Sequence, residues 1–242
     1  MNQFYITGTS SGIGLGLANQ LLINESNKVT GFSRSNTIAH ANFRFIPFDL
    51  TNTELLYRFR FPEPESNPEL LVLINNAGVL GEINLMQSLS DLRKVNEVYQ
   101  VNLVAPTLLS SIYLNQFNAY TCKKLIINIS SGAGRHPIDS WATYCASKAG
   151  LDMLTNVINK EIKLHNQSNV RAFSIAPGIV DTPMQNLIRE VSTEQFSRVN
   201  EFISLKTNNQ LLETQDVANK LINIIFNTDK FEDTILDLRN LD

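Results

Sequence analysis

An α/β fold with one doubly wound parallel sheet and helices on both faces is what this sequence predicts, and three observations predict it. Short apolar runs recur from the first residues onward with almost no polar alternation, as strands buried on both faces do. Longer stretches with helical periodicity separate them. A glycine-rich turn, "GTSSGIG", joins the first run to the first helix. Strands alternating with helices imply βαβ units and right-handed crossovers.

The elements follow in order. "FYI" runs into the turn at Gly8, and "GLGLANQLLIN" carries the first helical pattern, beginning near Leu15. "KVTGF" and "FRFIPF" supply the second and third strands. In residues 60 to 69, "RFPEPESNPE", three prolines and several polar residues mark a surface connection. The β/α pattern then resumes with "LLVLI", a helical stretch from Leu92 to Phe117, "KLIINI", a second helical stretch from Ala142 to His165, and "VRAFSIA". Residues 183 to 212 are amphipathic without a strand pattern, so helices outside the sheet are expected there, as a small substrate lid. No repeat or low-complexity tract interrupts the chain, which reads as a single domain over residues 1–242.

Composition narrows the function. Hydrophobic residues make up 43% of 242 and charged ones 18%, enough to bury a large core. A net charge of -3 without a basic cluster argues against nucleic acid and anionic membranes as partners. A small molecule fits better. The N-terminus lacks the basic and apolar succession of a signal peptide, and no apolar run approaches the ~20 residues of a membrane span. Cys122 and Cys145 offer neither a disulfide framework nor metal-ligand spacing, so the expectation is a cytoplasmic protein without a metal.

The glycine turn carries the first chemistry. Glycines at positions 8, 12 and 14 permit a sharp turn, close backbone approach to a ligand and tight packing of helix on strand. Free amides at the helix N-terminus then face an anion, a pyrophosphate above all. Gly8, Ser10, Ser11, Gly12, Ile13 and Gly14 are therefore the candidate cradle. After the second strand, where an acidic residue would bind a ribose 2′-hydroxyl, the sequence has Arg34. A guanidinium pairs with a 2′-phosphate, and the hydroxyls of Ser33 and Ser35 can add donors. NADP(H) is favoured over NAD.

Five segments together, "TGTSSGIG", "NNAG", "INISSGAG", "YCASK" and "APGIVDTPM", occur in an order and spacing that resembles the short-chain dehydrogenase/reductase family over essentially the whole chain. The resemblance implies a Rossmann-like fold and a role for each matching residue. Asn75, Asn76, Ala77 and Gly78 would end the fourth strand beside the adenosine ribose, and Asp49 with Leu50 would meet the adenine. Pro177, Gly178, Ile179 and Thr182 match the segment that holds the nicotinamide carboxamide. Ser131, Tyr144 and Lys148 match the catalytic trio, and Asn102 the asparagine of the proton relay. The long helices, residues 95 to 117 and 142 to 165, match those that build homodimers or homotetramers.

Tyr144 and Lys148 lie four apart on a helix, about 6 Å along its axis and on one face. A nearby ammonium stabilises a phenolate, so Lys148 is expected to depress the Tyr144 pKa. Tyr144 would then give a proton to a carbonyl oxygen while Ser131 adds a hydrogen bond. Within the family, "DTPMQNLIRE" is similar to sepiapterin reductases and bacterial benzil reductases, which implies a vicinal dicarbonyl or pterin side-chain ketone as substrate and Asp237 as its anchor. Trp141 and Met184 are the candidate apolar walls. The alternatives are a secondary-alcohol dehydrogenase and a non-catalytic NADP-binding regulator.

Overall fold

Seven strands pair side by side in the order β3-β2-β1-β4-β5-β6-β7, and every pair is parallel. They are β1 (Asn2–Thr7), β2 (Asn27–Ser33), β3 (Phe43–Pro47), β4 (Leu70–Asn75), β5 (Lys123–Ile129), β6 (Val170–Ala176) and β7 (Ile235–Asp237). This computed structural model describes residues 1–241. The strand order reverses at β1 and β4, so the crevice beyond their carboxyl ends is the switch point where such sheets bind ligands.

Two apolar layers clamp the sheet. On one face α1 (Gly12–Leu22) and α8 (Thr214–Phe226) bury Leu17, Leu21, Leu221 and Ile224 against Phe4, Val72 and Ile127. On the other, α4 (Ala105–Gln116) and α5 (Ala142–Leu164) bury Leu109, Tyr113 and Ile158 against Tyr5, Leu71 and Ile126. Alternate residues of the inner strands thus face opposite layers, which explains their mostly apolar runs, whereas β3, read as buried on both faces, lies at the sheet edge with Arg44 and Pro47 exposed. The short α2 (Thr53–Tyr57) follows β3, and α3 (Leu92–Tyr99) joins α4 through a π-helical turn, Gln100–Val104. The helices α6 (Pro183–Arg189) and α7 (Val199–Thr207) stand outside the sheet, as expected of residues 183 to 212.

Three features differ from the sequence reading. The proline-rich connection has a buried beginning: Phe61 is 3% exposed, in a cluster with Tyr5, Phe59 and Phe117. The Tyr5 hydroxyl also donates to Pro62 O at 2.6 Å, tying that segment to β1. The first helix starts at Gly12 rather than Leu15, so two of the three turn glycines belong to its opening turn. The strand β7 has only three residues, too few for a periodic signal, yet it extends the sheet beyond β6 and carries Asp237.

Candidate active site

The glycine turn is fastened from the side by β4. Asn76 donates from Nδ2 to Thr7 O at 2.9 Å and Gly8 O at 3.1 Å, while Thr7 Oγ1 accepts from the amides of Asn76 and Ala77. A Cβ on Gly14 would lie 2.2 Å from Gly8 O and 2.4 Å from Asn76 Nδ2, so only glycine lets the turn close onto the helix. Gly8 and Gly12 hold left-handed φ values of 75° and 57°. Ser11 precedes the helix in an extended conformation and its side chain caps nothing, so the first-turn amides meet no capping side chain. Opposite them, Thr182 Cγ2 would stand 3.2 Å from a Cβ on Gly12. The result is a narrow seat at the positive end of a helix, which fits a pyrophosphate.

Arg34 is the first residue past β2 and is exposed. Thr9, in the glycine turn, touches Ser33 through their hydroxyls at 3.1 Å, which puts Arg34 beside the turn. Ser33 departs from expectation: its hydroxyl is buried and donates to Ser35 O at 2.7 Å, leaving Ser35 the exposed hydroxyl. Asp49 accepts from the Thr51 amide and hydroxyl, which hold its carboxyl below the usual range, with the Arg34 charge assisting. Leu50 next to it is buried. The Asn75 side chain is also turned away from the crevice. It donates to Asn128 Oδ1 at 2.8 Å and Ser110 Oγ at 3.2 Å inside the sheet, so of the four-residue segment Asn76, Ala77 and Gly78 border the crevice.

Behind the crevice lies the reacting end. Ser131 follows β5 and opens a short 3-10 turn, Gly132–Gly134, whose Ala133 amide donates to the Ser131 hydroxyl at 3.2 Å. That turn rests on α5: a Cβ on Gly134 would fall 2.9 Å from the Lys148 carbonyl carbon. Backbone packed on backbone fixes the serine relative to the helix that carries Tyr144 and Lys148. Both of these are buried, Tyr144 at 7% exposure and Lys148 at 3%. Lys148 Nζ stands 5.7 Å from the Tyr144 ring centre and donates to Ile129 O at 2.8 Å. Its other two N–H bonds have no acceptor among the described residues.

Asn102 is fully buried in the π-helical turn, where the wider spacing interrupts the helix between α3 and α4. Its Oδ1 accepts from Val79 N at 2.9 Å, and its Nδ2 donates to Val79 O and to Ser147 Oγ. Gly78 connects it to the lysine: a Cβ there would sit 3.4 Å from Asn102 Oδ1 and 3.6 Å from Lys148 Nζ. A bare glycine thus leaves an opening in front of both groups.

Burial governs the charges. Desolvation pushes the Tyr144 phenol up to about 12, opposed by the neighbouring Ser131 hydroxyl. Desolvation also pushes the Lys148 ammonium down to about 8, opposed by the carboxylate of Asp152. The expectation that Lys148 depresses the phenol is therefore corrected: burial raises it, and the opposing influence is the Ser131 hydroxyl, not the amine. A neutral phenol is the form a proton donor needs.

Apolar residues from three segments close over Tyr144. Trp141 meets its ring edge-on at 5.8 Å and stacks on Phe196 at 5.3 Å, with Phe202 at 5.7 Å. Met184 and Ile179 border the same cluster. Trp141, at 6% exposure, is a buried link between Tyr144 and α7 more than an open wall. Asp237 differs further from its expected part. Its side chain is 8% exposed and accepts from Arg239 Nε at 3.0 Å and Nη2 at 2.7 Å, so an internal partner occupies it. Sequence reasoning missed Arg239, Arg135 and Asp152, because single charges in a tail, a loop and a helix carry no spacing signal. A cavity of about 550 Å³ lined by Asn159, Lys163 and Arg171 lies toward the amino end of β6, away from this site.

Residues 2–192 match the short chain dehydrogenase family. The chain belongs to that family. It is 34% identical over 238 residues to a Bacillus cereus benzil reductase ((S)-benzoin forming), covering 93% of this chain and 94% of the relative. It is 37% identical over 166 residues to the sepiapterin reductase of Meriones unguiculatus, covering 68% of this chain and 61% of that one. A solved short chain dehydrogenase/reductase from Saccharomyces cerevisiae superposes with a TM-score of 0.81 at 26% identity, covering 100% of this chain and 97% of that one. This member of the short chain dehydrogenase family is an oxidoreductase of the carbonyl-reductase type, with a fold that binds a nicotinamide cofactor. Among the described residues no helix is long and apolar enough to cross a membrane.

Proposed function

We propose that the protein is an NADPH-dependent reductase of ketones, acting on one carbonyl of a vicinal dicarbonyl or on a pterin side-chain ketone. The observation that carries this reading is the buried phenol of Tyr144 with the Ser131 hydroxyl on it and Lys148 one turn along the same helix. The turn from Gly8 to Gly14 would hold the pyrophosphate, with Arg34 and Ser35 on the 2′-phosphate and Asp49 with Leu50 at the adenine. Asn76, Ala77 and Gly78 would line the ribose, and Pro177, Gly178, Ile179 and Thr182 the carboxamide. When bound, the reduced nicotinamide supplies the hydride to the carbonyl carbon.

The chain's own groups handle the oxygen. Tyr144 gives its proton to the carbonyl oxygen as negative charge develops there, and Ser131 donates a hydrogen bond to the same atom. Lys148 turns its two spare N–H bonds to the ribose hydroxyls, and Asn102 orders the water through which the phenol regains its proton. The helices α6 and α7 serve as the lid that excludes water. Exposed Val104, Leu108, Met153 and Val157 on α4, its preceding turn and α5 support self-association into a dimer or tetramer. The test is a panel of pterins, vicinal diketones and aldehydes followed by NADPH absorbance; no consumption with any carbonyl ends the reading.

Two further results are expected. The Lys148 amine carries its charge below its depressed pKa and loses it above, whereas Tyr144 stays protonated up to about 12. Ketone reduction should therefore decline as pH rises through about 8. A kcat profile that stays level to pH ~10 contradicts that role for Lys148. For the cofactor, Arg34→Glu replaces the phosphate's partner with a repelling carboxylate. The ratio of kcat/KM with NADPH to that with NADH should fall by roughly tenfold to hundredfold, the worth of a charge-assisted hydrogen bond. An unchanged ratio removes Arg34 from cofactor selection.

A further inference from the structure

The sheet's last strand brings one unassigned cation to the reacting end. Arg239 lies two residues past β7, and its stem crosses Gly178: a Cβ there, at φ 87°, would meet Arg239 Cγ at 3.3 Å and Cδ at 3.6 Å. Its far end reaches the next strand terminus, where Nη2 would stand 3.7 Å from a Cβ on Gly132. Gly132 directly follows Ser131, so chain geometry alone keeps the guanidinium within about 9 Å of the serine Cα. The side chain thus bridges the loop that faces the nicotinamide and the loop that bears the catalytic hydroxyl.

Its orientation is fixed in advance. Asp237 accepts from the Arg239 amide at 3.1 Å, from Nε at 3.0 Å and from Nη2 at 2.7 Å. The carboxylate is 8% exposed while the Arg239 side chain is 55% exposed, so the acid lies beneath and the cation faces outward. Nη1 has no acceptor among the described residues. The local balance favours an anion: Arg239, Arg135 and Lys148 stand with Asp237 and Asp152, three positive charges to two negative. Arg135 joins α5 to β7, at 3.6 Å from Asp152 and donating from Nη2 to Leu236 O at 3.4 Å.

We propose that Arg239 is a specificity-determining residue that selects 2-oxo acids, ketones whose reacting carbonyl carbon bears a carboxylate directly. The proposal rests on the carbonyl-reductase reading of the site and names the second oxygen-bearing group that the substrate presents. A guanidinium held flat by one carboxylate still offers N–H bonds on its free edge, a geometry that matches a second carboxylate. A neutral diketone gains only a single, weaker hydrogen bond from it.

The test compares phenylglyoxylate with benzil as substrates of the full chain, using Arg239→Met, which keeps the apolar stem over Gly178 and removes the fork. Loss of the cation also leaves Asp237 to repel the acid. The expected result is a 10- to 100-fold drop, on the order of one charge-assisted interaction, in kcat/KM for phenylglyoxylate, with benzil changed less than about threefold. Arg239→Lys should restore part of the activity on phenylglyoxylate alone. Equal loss on both ketones, or no loss on either, overturns the proposal and leaves Arg239 a latch between loops. If the unaltered protein reduces benzil or another carbonyl of the panel but not phenylglyoxylate, this proposal falls and the carbonyl-reductase reading stands; failure on every carbonyl of the panel overturns that reading and this proposal with it.

Discussion

Tyr144→Phe is expected to bind NADPH as the unaltered protein does and to reduce ketones about 10²- to 10⁴-fold more slowly, the range over which a positioned general acid contributes. The substitution removes one oxygen and keeps the ring. Trp141 retains its edge contact at 5.8 Å, and the aromatic stack above it is untouched. The Ser131 hydroxyl beside the phenol accepts from the Ala133 amide, so losing the tyrosine oxygen leaves that serine with a partner. The thermal midpoint should hardly move. Fluorescence titration with NADPH and single-turnover reduction of a diketone separate binding from chemistry. Residual turnover within fivefold of the parent would falsify Tyr144 as the proton donor.

Gly14→Ala is expected to unfold the cradle from within. The new methyl would stand 2.2 Å from the Gly8 carbonyl oxygen, inside contact distance with backbone that cannot rotate away, and 2.4 Å from the Asn76 amide that latches the turn. Relieving it means withdrawing the helix from β1 or breaking the two Asn76 bonds, at a cost of about 3 kcal/mol. For a domain of this size that is a fall in Tm of roughly 6 to 12 °C. NADPH affinity should fall too, because the same movement displaces the first-turn amides. Gly16→Ala is the control. Its methyl would approach Thr214 no closer than 3.2 Å, and alanine favours a helix interior by up to about 1 kcal/mol. Thermal melts of the two variants should therefore diverge; equal Tm values would mean that the turn yields to a methyl group at no cost.

How much of this was readable beforehand depends on what each residue answers to. The six longer strands were legible because their runs are mostly apolar and short, and the structure matches each to within one or two residues, although the edge strand β3 is only partly buried. The strand β7 was not, since three residues among charges carry no period. Phe61 was misplaced with its proline-rich neighbours because composition averages over a window, whereas burial is decided by one side chain reaching Tyr5 and Phe117. In the candidate site, Ser131, Tyr144, Lys148 and the glycines were legible through fixed spacing along strand ends and one helix. The Tyr144 pKa was misjudged because the lysine was visible four residues away while the desolvating cover, Phe196 and Phe202, is more than fifty residues distant. Arg239 was invisible for a related reason. Only the fold carries a tail residue to Gly132 and Gly178.

The stack of Trp141, Phe196 and Phe202 over a phenol that is 7% exposed has a kinetic corollary. Each incoming ketone must part those rings, and each departing alcohol must part them again. Bulky, flat compounds can repay that separation by inserting between the rings, whereas small polar ones cannot. Opening that stack is then a step of its own before and after the chemistry, and the rate of substrate entry should quicken when Phe196 is made smaller even though no reacting atom has changed.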